Sequence, residues 1–130
     1  FEEEIALRNR VASWYHELLC SEVKKPEISS GYQSVWAQYT IILPDYVNRS
    51  ELQELLKASG VPTMVYYERP LHLQKALAYL GGKPGDFPVS EYLSSRVLSL
   101  PMHPYLKREE VETAARYVNR FVRSYQASEL

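Results

Sequence analysis

Apolar residues Ile5, Val11, Ala12, Tyr15, Leu18 and Leu19 recur at roughly helical spacing, with Arg8 and Asn9 interrupting the stripe. The pattern predicts a first helix over about residues 2 to 23, ending before Pro26. "KPEISSGYQ" carries the Pro, Ser and Gly punctuation of a loop. "SVWAQYTIIL", rich in β-branched and aromatic residues, reads as a strand closed by Pro44. Asn48 with Glu51 makes a capping box for a helix over about 49 to 59, with Leu52, Leu55 and Leu56 on its apolar face and Gly60 at its end. "PTMVYY" reads as a second strand and "LHLQKALAYL" as a helix stopped by Gly81 and Gly82. "KPGDFP" is a turn-rich loop leading to a short helix near "VSEYLSS", and "RVLSLP" is a third short strand. Val111, Ala114, Ala115, Val118, Phe121 and Val122 mark a long closing helix.

The predicted order is α-β-α-β-α-α-β-α. It points to a small α+β fold: a short three-stranded sheet covered by helices, mainly on one face, with residues 1–130 forming one domain. A chain of 130 residues can bury a core without staples. The net charge of -1 comes from mixed signs, with no basic stripe for nucleic acid. No apolar run is long enough to span a bilayer. Cys20 is the lone cysteine, so no disulfide framework is expected, and a reducing cytoplasmic setting is the default. The chain starts at Phe1 and enters a helical pattern almost at once, which suggests a segment cut from a longer protein.

Familiar catalytic signatures are missing. Gly81, Gly82 and Gly85 follow a helix and lack the Lys-Ser/Thr step of a phosphate loop, so they read as a turn. His16, His72 and His103 lie far apart, without metal-ligand spacing. Cys20 falls near the apolar side of the first helix and reads as core. No serine sits in a nucleophile elbow.

"VYYERPLHLQ", residues 65–74, is the richest stretch in candidate chemistry. On a strand, Tyr66 and Tyr67 point to opposite faces. Pro70 keeps Arg69 extended and opens the next helix, which places His72 in a first turn where anions are favoured. Phenol, guanidinium and imidazole around such a corner would suit a polar, anionic ligand. The same residues also fit a plain strand-turn-helix corner with half-buried tyrosines and a capping histidine.

"SVWAQYTI", "GVPTMVYYERPLHLQ", "GDFPVSE" and "RVLSLPMHPYL", in this order and spacing, resemble the C-terminal region of the DegT/StrS family of pyridoxal-phosphate-dependent nucleotide-sugar aminotransferases. The resemblance covers nearly the whole chain. It implies the small C-terminal domain of a fold type I enzyme, acting as a homodimer with active sites at the subunit interface. It further implies a parent enzyme that moves an amino group from L-glutamate to a keto sugar nucleotide. Members acting on 3-keto sugars are the most similar, including the UDP-linked 3-oxo-glucuronic acid type used for bacterial surface polysaccharides such as lipopolysaccharide.

The family's Schiff-base lysine lies in a Ser-Phe-x-x-x-Lys motif of the large domain. Lys24, Lys25, Lys57, Lys75, Lys83 and Lys107 do not match it, so this segment is expected to be silent alone. Substrate contact is what carries over. The resemblance implies Tyr67 and His72 near the sugar nucleotide, with Tyr66 at a position often held by His. Glu68 departs from the usual Pro, and Arg69 and Gln38 are weaker candidates for the same cleft. By the same comparison His103 reads as structural, Glu91 as a cap or pair near its short helix, and Trp14 and Trp36 as packing residues. Two rivals stand beside this reading: a free-standing module that binds a sugar nucleotide or a protein, and a structural fragment that self-associates.

Overall fold

The computed structural model describes residues 1–126. Helix α1 (Glu2–Leu18) packs along α4 (Arg108–Gln126), and both lie against a two-stranded antiparallel sheet of β1 (Tyr39–Ile42) and β2 (Val97–Leu100). Helix α2 (Arg49–Ala58) leans on α4. Helix α3 (Pro88–Arg96) leads directly into β2. The strand register sets Tyr39 opposite Leu100 and Thr40 opposite Ser99. Tyr39 and Ile41 are therefore buried, while Thr40 and Ile42 face the other side and are partly covered. Among the described residues, no helix is long and apolar enough to cross a membrane.

The core joins α1, α4 and the sheet through Val11, Tyr15, Tyr39, Leu98, Val111 and Val118, each fully buried. The Tyr15 and Tyr39 rings stack at 4.8 Å. Burial does not leave their hydroxyls unpaired: Tyr15 donates to the Pro101 carbonyl at 2.9 Å, and the Tyr39 hydroxyl meets His16 Nδ1 at 3.0 Å. Cys20 is buried in this core, and burial pushes its thiol pKa up. Trp36 is buried too, and Trp14 packs beside the core under Arg10.

The structure moves several boundaries. Helix α1 stops at Leu18 instead of reaching residue 23. There Asn119 of α4 accepts from the Cys20 amide at 2.8 Å and donates to the Leu18 carbonyl at 2.8 Å, so a distant side chain caps the helix. Strand β1 begins at Tyr39 because Trp36 takes a positive φ of 48°. Arg8 donates to the Trp36 carbonyl, while Asn9 holds the Trp36 indole and the Ser34 carbonyl. The two polar residues that broke the apolar stripe thus fasten this loop.

The expected second strand, "PTMVYY", is reduced to one bridge, so the three-stranded sheet becomes a two-stranded one. Met64 and Ser99 exchange backbone hydrogen bonds of 3.0 and 2.9 Å along the free edge of β2. Lys24 makes a similar bridge to Ile42 on the outer edge of β1. The helix expected over "LHLQKALAYL" is instead two 3-10 turns, Leu71–Leu73 and Lys75–Leu80, with no buried residue in either. An apolar stripe with nothing to pack against does not hold a full helix.

Candidate functional site

Beyond the Met64 bridge the chain stays extended and exposed. Tyr66 and Tyr67 are 54% and 70% accessible. Pro70, at φ −57° and ψ 148°, turns the chain into the first 3-10 turn. The corner is tied by Gln74, whose amide donates to the Arg69 carbonyl at 2.8 Å. Three residues of 3-10 turn do not align enough peptide dipoles to favour an anion, so the argument that placed His72 at a helix N-terminus falls away.

His72 is held by side-chain contacts. Its imidazole is 9% exposed, Nε2 lies 2.9 Å from Glu91 Oε1, and the ring packs on Phe87 at 4.8 Å. Glu91 also accepts from the Gly85 amide at 2.8 Å and from the Phe87 amide at 3.4 Å. It therefore closes the 85–87 turn over the start of α3 and pairs with His72 as well. The His72 hydrogen bond, followed by the Gly85 amide, holds the Glu91 carboxyl below the usual carboxylate range. Gly82 lies so close that a Cβ there would come within 2.5 Å of the His72 carbonyl oxygen. Only glycine fits that approach without a shift.

These elements surround a hollow of about 580 Å3. Gln38, Tyr66, Tyr67, Arg69 and His72 all line it, so the five positions singled out in the sequence meet at one place. Thr40 and Ser99, whose hydroxyls pair at 2.8 Å, line it as well, together with Phe87 and Ser90. Sequence reasoning passed over these four. Alternation along β1 could have found Thr40; Phe87 and Ser90 gave no signal, because only the fold brings them beside His72. The lining is mostly apolar and aromatic with a few polar groups, the composition of a small-molecule site.

The other histidines lie elsewhere. His16 serves Tyr39, and His103 Nδ1 accepts the Tyr105 amide at 3.3 Å. No group of three or more His, Cys, Asp or Glu placed to hold a metal occurs among the described residues. No lysine lines the hollow.

Residues 1–119 match the DegT/DnrJ/EryC1/StrS aminotransferase family. The chain belongs to that family. It is 42% identical over 113 residues to a UDP-2-acetamido-2-deoxy-3-oxo-D-glucuronate aminotransferase of Pseudomonas aeruginosa, covering 86% of this chain and 30% of that protein. A UDP-N-acetyl-3-dehydro-alpha-D-glucosamine 3-aminotransferase of Acidithiobacillus ferrooxidans is 38% identical over 114 residues, covering 87% and 30%. A solved family aminotransferase from Brucella abortus superposes with a TM-score of 0.78 at 44% identity, over 91% of this chain and 32% of that one. The structural neighbours are fold type I sugar aminotransferases, and the helices and small antiparallel sheet seen here agree with a small α+β part of that fold. The chain spans about a third of the length of these relatives.

Proposed function

We propose that this chain is the C-terminal part of a pyridoxal-phosphate-dependent aminotransferase that transfers an amino group from L-glutamate to a keto sugar nucleotide. A UDP-linked 3-oxo sugar is the substrate class that fits the named activities of the Pseudomonas and Acidithiobacillus relatives; bacterial surface polysaccharide, lipopolysaccharide included, would be its destination. The enzyme would be a cytoplasmic homodimer. The observation that carries the reading is the meeting of Gln38, Tyr66, Tyr67, Arg69 and His72 around one hollow.

Each lining residue has a task suited to its chemistry. The exposed rings of Tyr66 and Tyr67 offer flat faces for a base or sugar and hydroxyls for hydrogen bonds. Arg69 carries the charge to meet a diphosphate or a sugar carboxylate. His72 and Gln38 supply hydrogen bonds at the inner wall. The cofactor does not fit the residues present. Without a lysine at the hollow, this chain cannot itself hold pyridoxal phosphate as an imine, and the cofactor belongs to a part of the protein beyond these residues.

The test is to read the coding DNA upstream of Phe1, express the longer polypeptide, and supply L-glutamate with UDP-linked and dTDP-linked 3-keto sugars. The expected result is an upstream frame with the lysine motif and an amino sugar product from a UDP substrate. A start codon directly before Phe1, or no transfer to any keto sugar nucleotide, overturns the reading.

A further inference from the structure

The Glu91–His72 pair defines more than the local fold. His72 uses Nε2 on Glu91 Oε1 at 2.9 Å, and Nδ1 has no hydrogen-bond partner among the described residues. A carboxylate can only accept, so a neutral imidazole beside it must carry its proton on Nε2. The nitrogen left over is then an acceptor. Glu91 is itself locked by the Gly85 and Phe87 amides, and the ring has little room to turn, with Phe87 at 4.8 Å and Gly82 against its backbone. The "GDFP" turn and "VSE" helix start therefore act on the hollow through one imidazole.

We infer that Glu91 is a positioning residue: by taking the Nε2 proton of His72 it fixes the ring's tautomer and leaves Nδ1 as an acceptor for a hydroxyl of the bound sugar nucleotide. The inference rests on the reading of His72 as a substrate contact and deepens it. It also explains why a carboxylate that already closes its own turn reaches across to a side chain nineteen positions earlier. A carboxylate serving only the α3 start would have no need of the histidine.

The experiment has two arms. In the first, long-range nitrogen–proton spectra of the 130-residue chain read the tautomer of each of its three histidines. His72, in its neutral form, should appear as the single Nε2–H tautomer. In E91Q, whose amide can donate as well as accept, His72 should lose that single form while His16 and His103 keep theirs. A mixed or Nδ1–H His72 in the unaltered chain, or an unchanged His72 in E91Q, overturns the role of Glu91.

The second arm measures KM for the sugar nucleotide in the longer polypeptide. E91Q should raise KM by roughly tenfold, the scale of one lost hydrogen bond. Adding E91Q to H72A should cost nothing beyond H72A alone, since Glu91 acts through the ring. Additive losses alongside a responsive H72A overturn Glu91 only. A KM unmoved by H72A removes His72 from the substrate, and the proposal falls with it, whatever tautomer the first arm finds.

Discussion

The sheet with its flanking helices and the 64–91 stretch share one chain but are held in opposite ways. In the first region Tyr15, Tyr39, Leu98 and Val118 are fully buried and touch across elements far apart in sequence. In the second, the 3-10 turns bury nothing, and beyond Val65, which packs beside the core, the stretch is secured by the Met64–Ser99 bridge and the Glu91 carboxylate. One region is stabilised by apolar area removed from water, the other by a few polar contacts. The difference teaches that the scaffold and the candidate site should answer to different perturbations.

The sharpest way to break this contrast is in the scaffold. Leu98→Ala leaves a cavity between sheet and helices and should lower stability by about 2–5 kcal/mol. Urea unfolding followed by circular dichroism would measure it; a loss no greater than that of an exposed substitution would mean the core is not where stability resides. Gly82→Ala comes next. The added Cβ meets a backbone oxygen, so the turn or residue 72 must move, at about 1–3 kcal/mol. Amide shifts confined to residues 70–91 would show that the strain stays in the second region, whereas shifts spread through β1 and β2 would erase the division.

How much of this was legible beforehand depended on the range of the forces involved. Helix α2 was readable because Asn48 accepts from the Ser50 and Glu51 amides at 3.1 and 3.3 Å, a cap formed by close neighbours. Helix α4 was readable because its stripe of Val111, Ala114, Ala115, Val118 and Val122 is buried just as its period implies. The end of α1 was not, since its cap is Asn119 from the far end of the chain. The start of β1 was not, since Arg8 and Asn9 impose the bend at Trp36 from another element. "LHLQKALAYL" misled because its period suggested a helix, yet among the described residues nothing buries its apolar side and it settles into two 3-10 turns. At the candidate site, residue chemistry and family resemblance pointed to Tyr66, Tyr67, Arg69, His72 and Gln38. The polar floor of Thr40 and Ser99 and the Glu91 link emerge only when strands and turns are brought together in space.

Two milder perturbations sharpen the comparison from the site's side. Tyr67→Ala, at an exposed position, should change stability by no more than about 0.5 kcal/mol. In the longer polypeptide the same change should raise KM for the sugar nucleotide several-fold, and an unchanged KM would remove Tyr67 from the substrate wall. The smallest effect concerns pH. The native Glu91 carboxyl titrates below its unfolded value, so its contribution is complete above the ordinary glutamate range. That contribution fades as pH falls through the lowered native value. Hydrogen exchange at the Gly85 amide should therefore quicken, relative to amides in β2, as the pH drops below the ordinary glutamate range. E91Q should abolish that differential response, and a Gly85 amide that tracks β2 at every pH would show the carboxylate is not its latch.

The single Met64–Ser99 bridge has a consequence for how such a protein can change over generations. Because it joins the two regions through main-chain atoms, it asks nothing of the exposed side chains at residues 66–69. Substitutions there cost the scaffold little, so under the proposed function Tyr66, Tyr67, Glu68 or Arg69 could change to suit another sugar nucleotide while the fold is inherited intact. A wall free to vary on a constant frame follows from tying the chain down by its backbone.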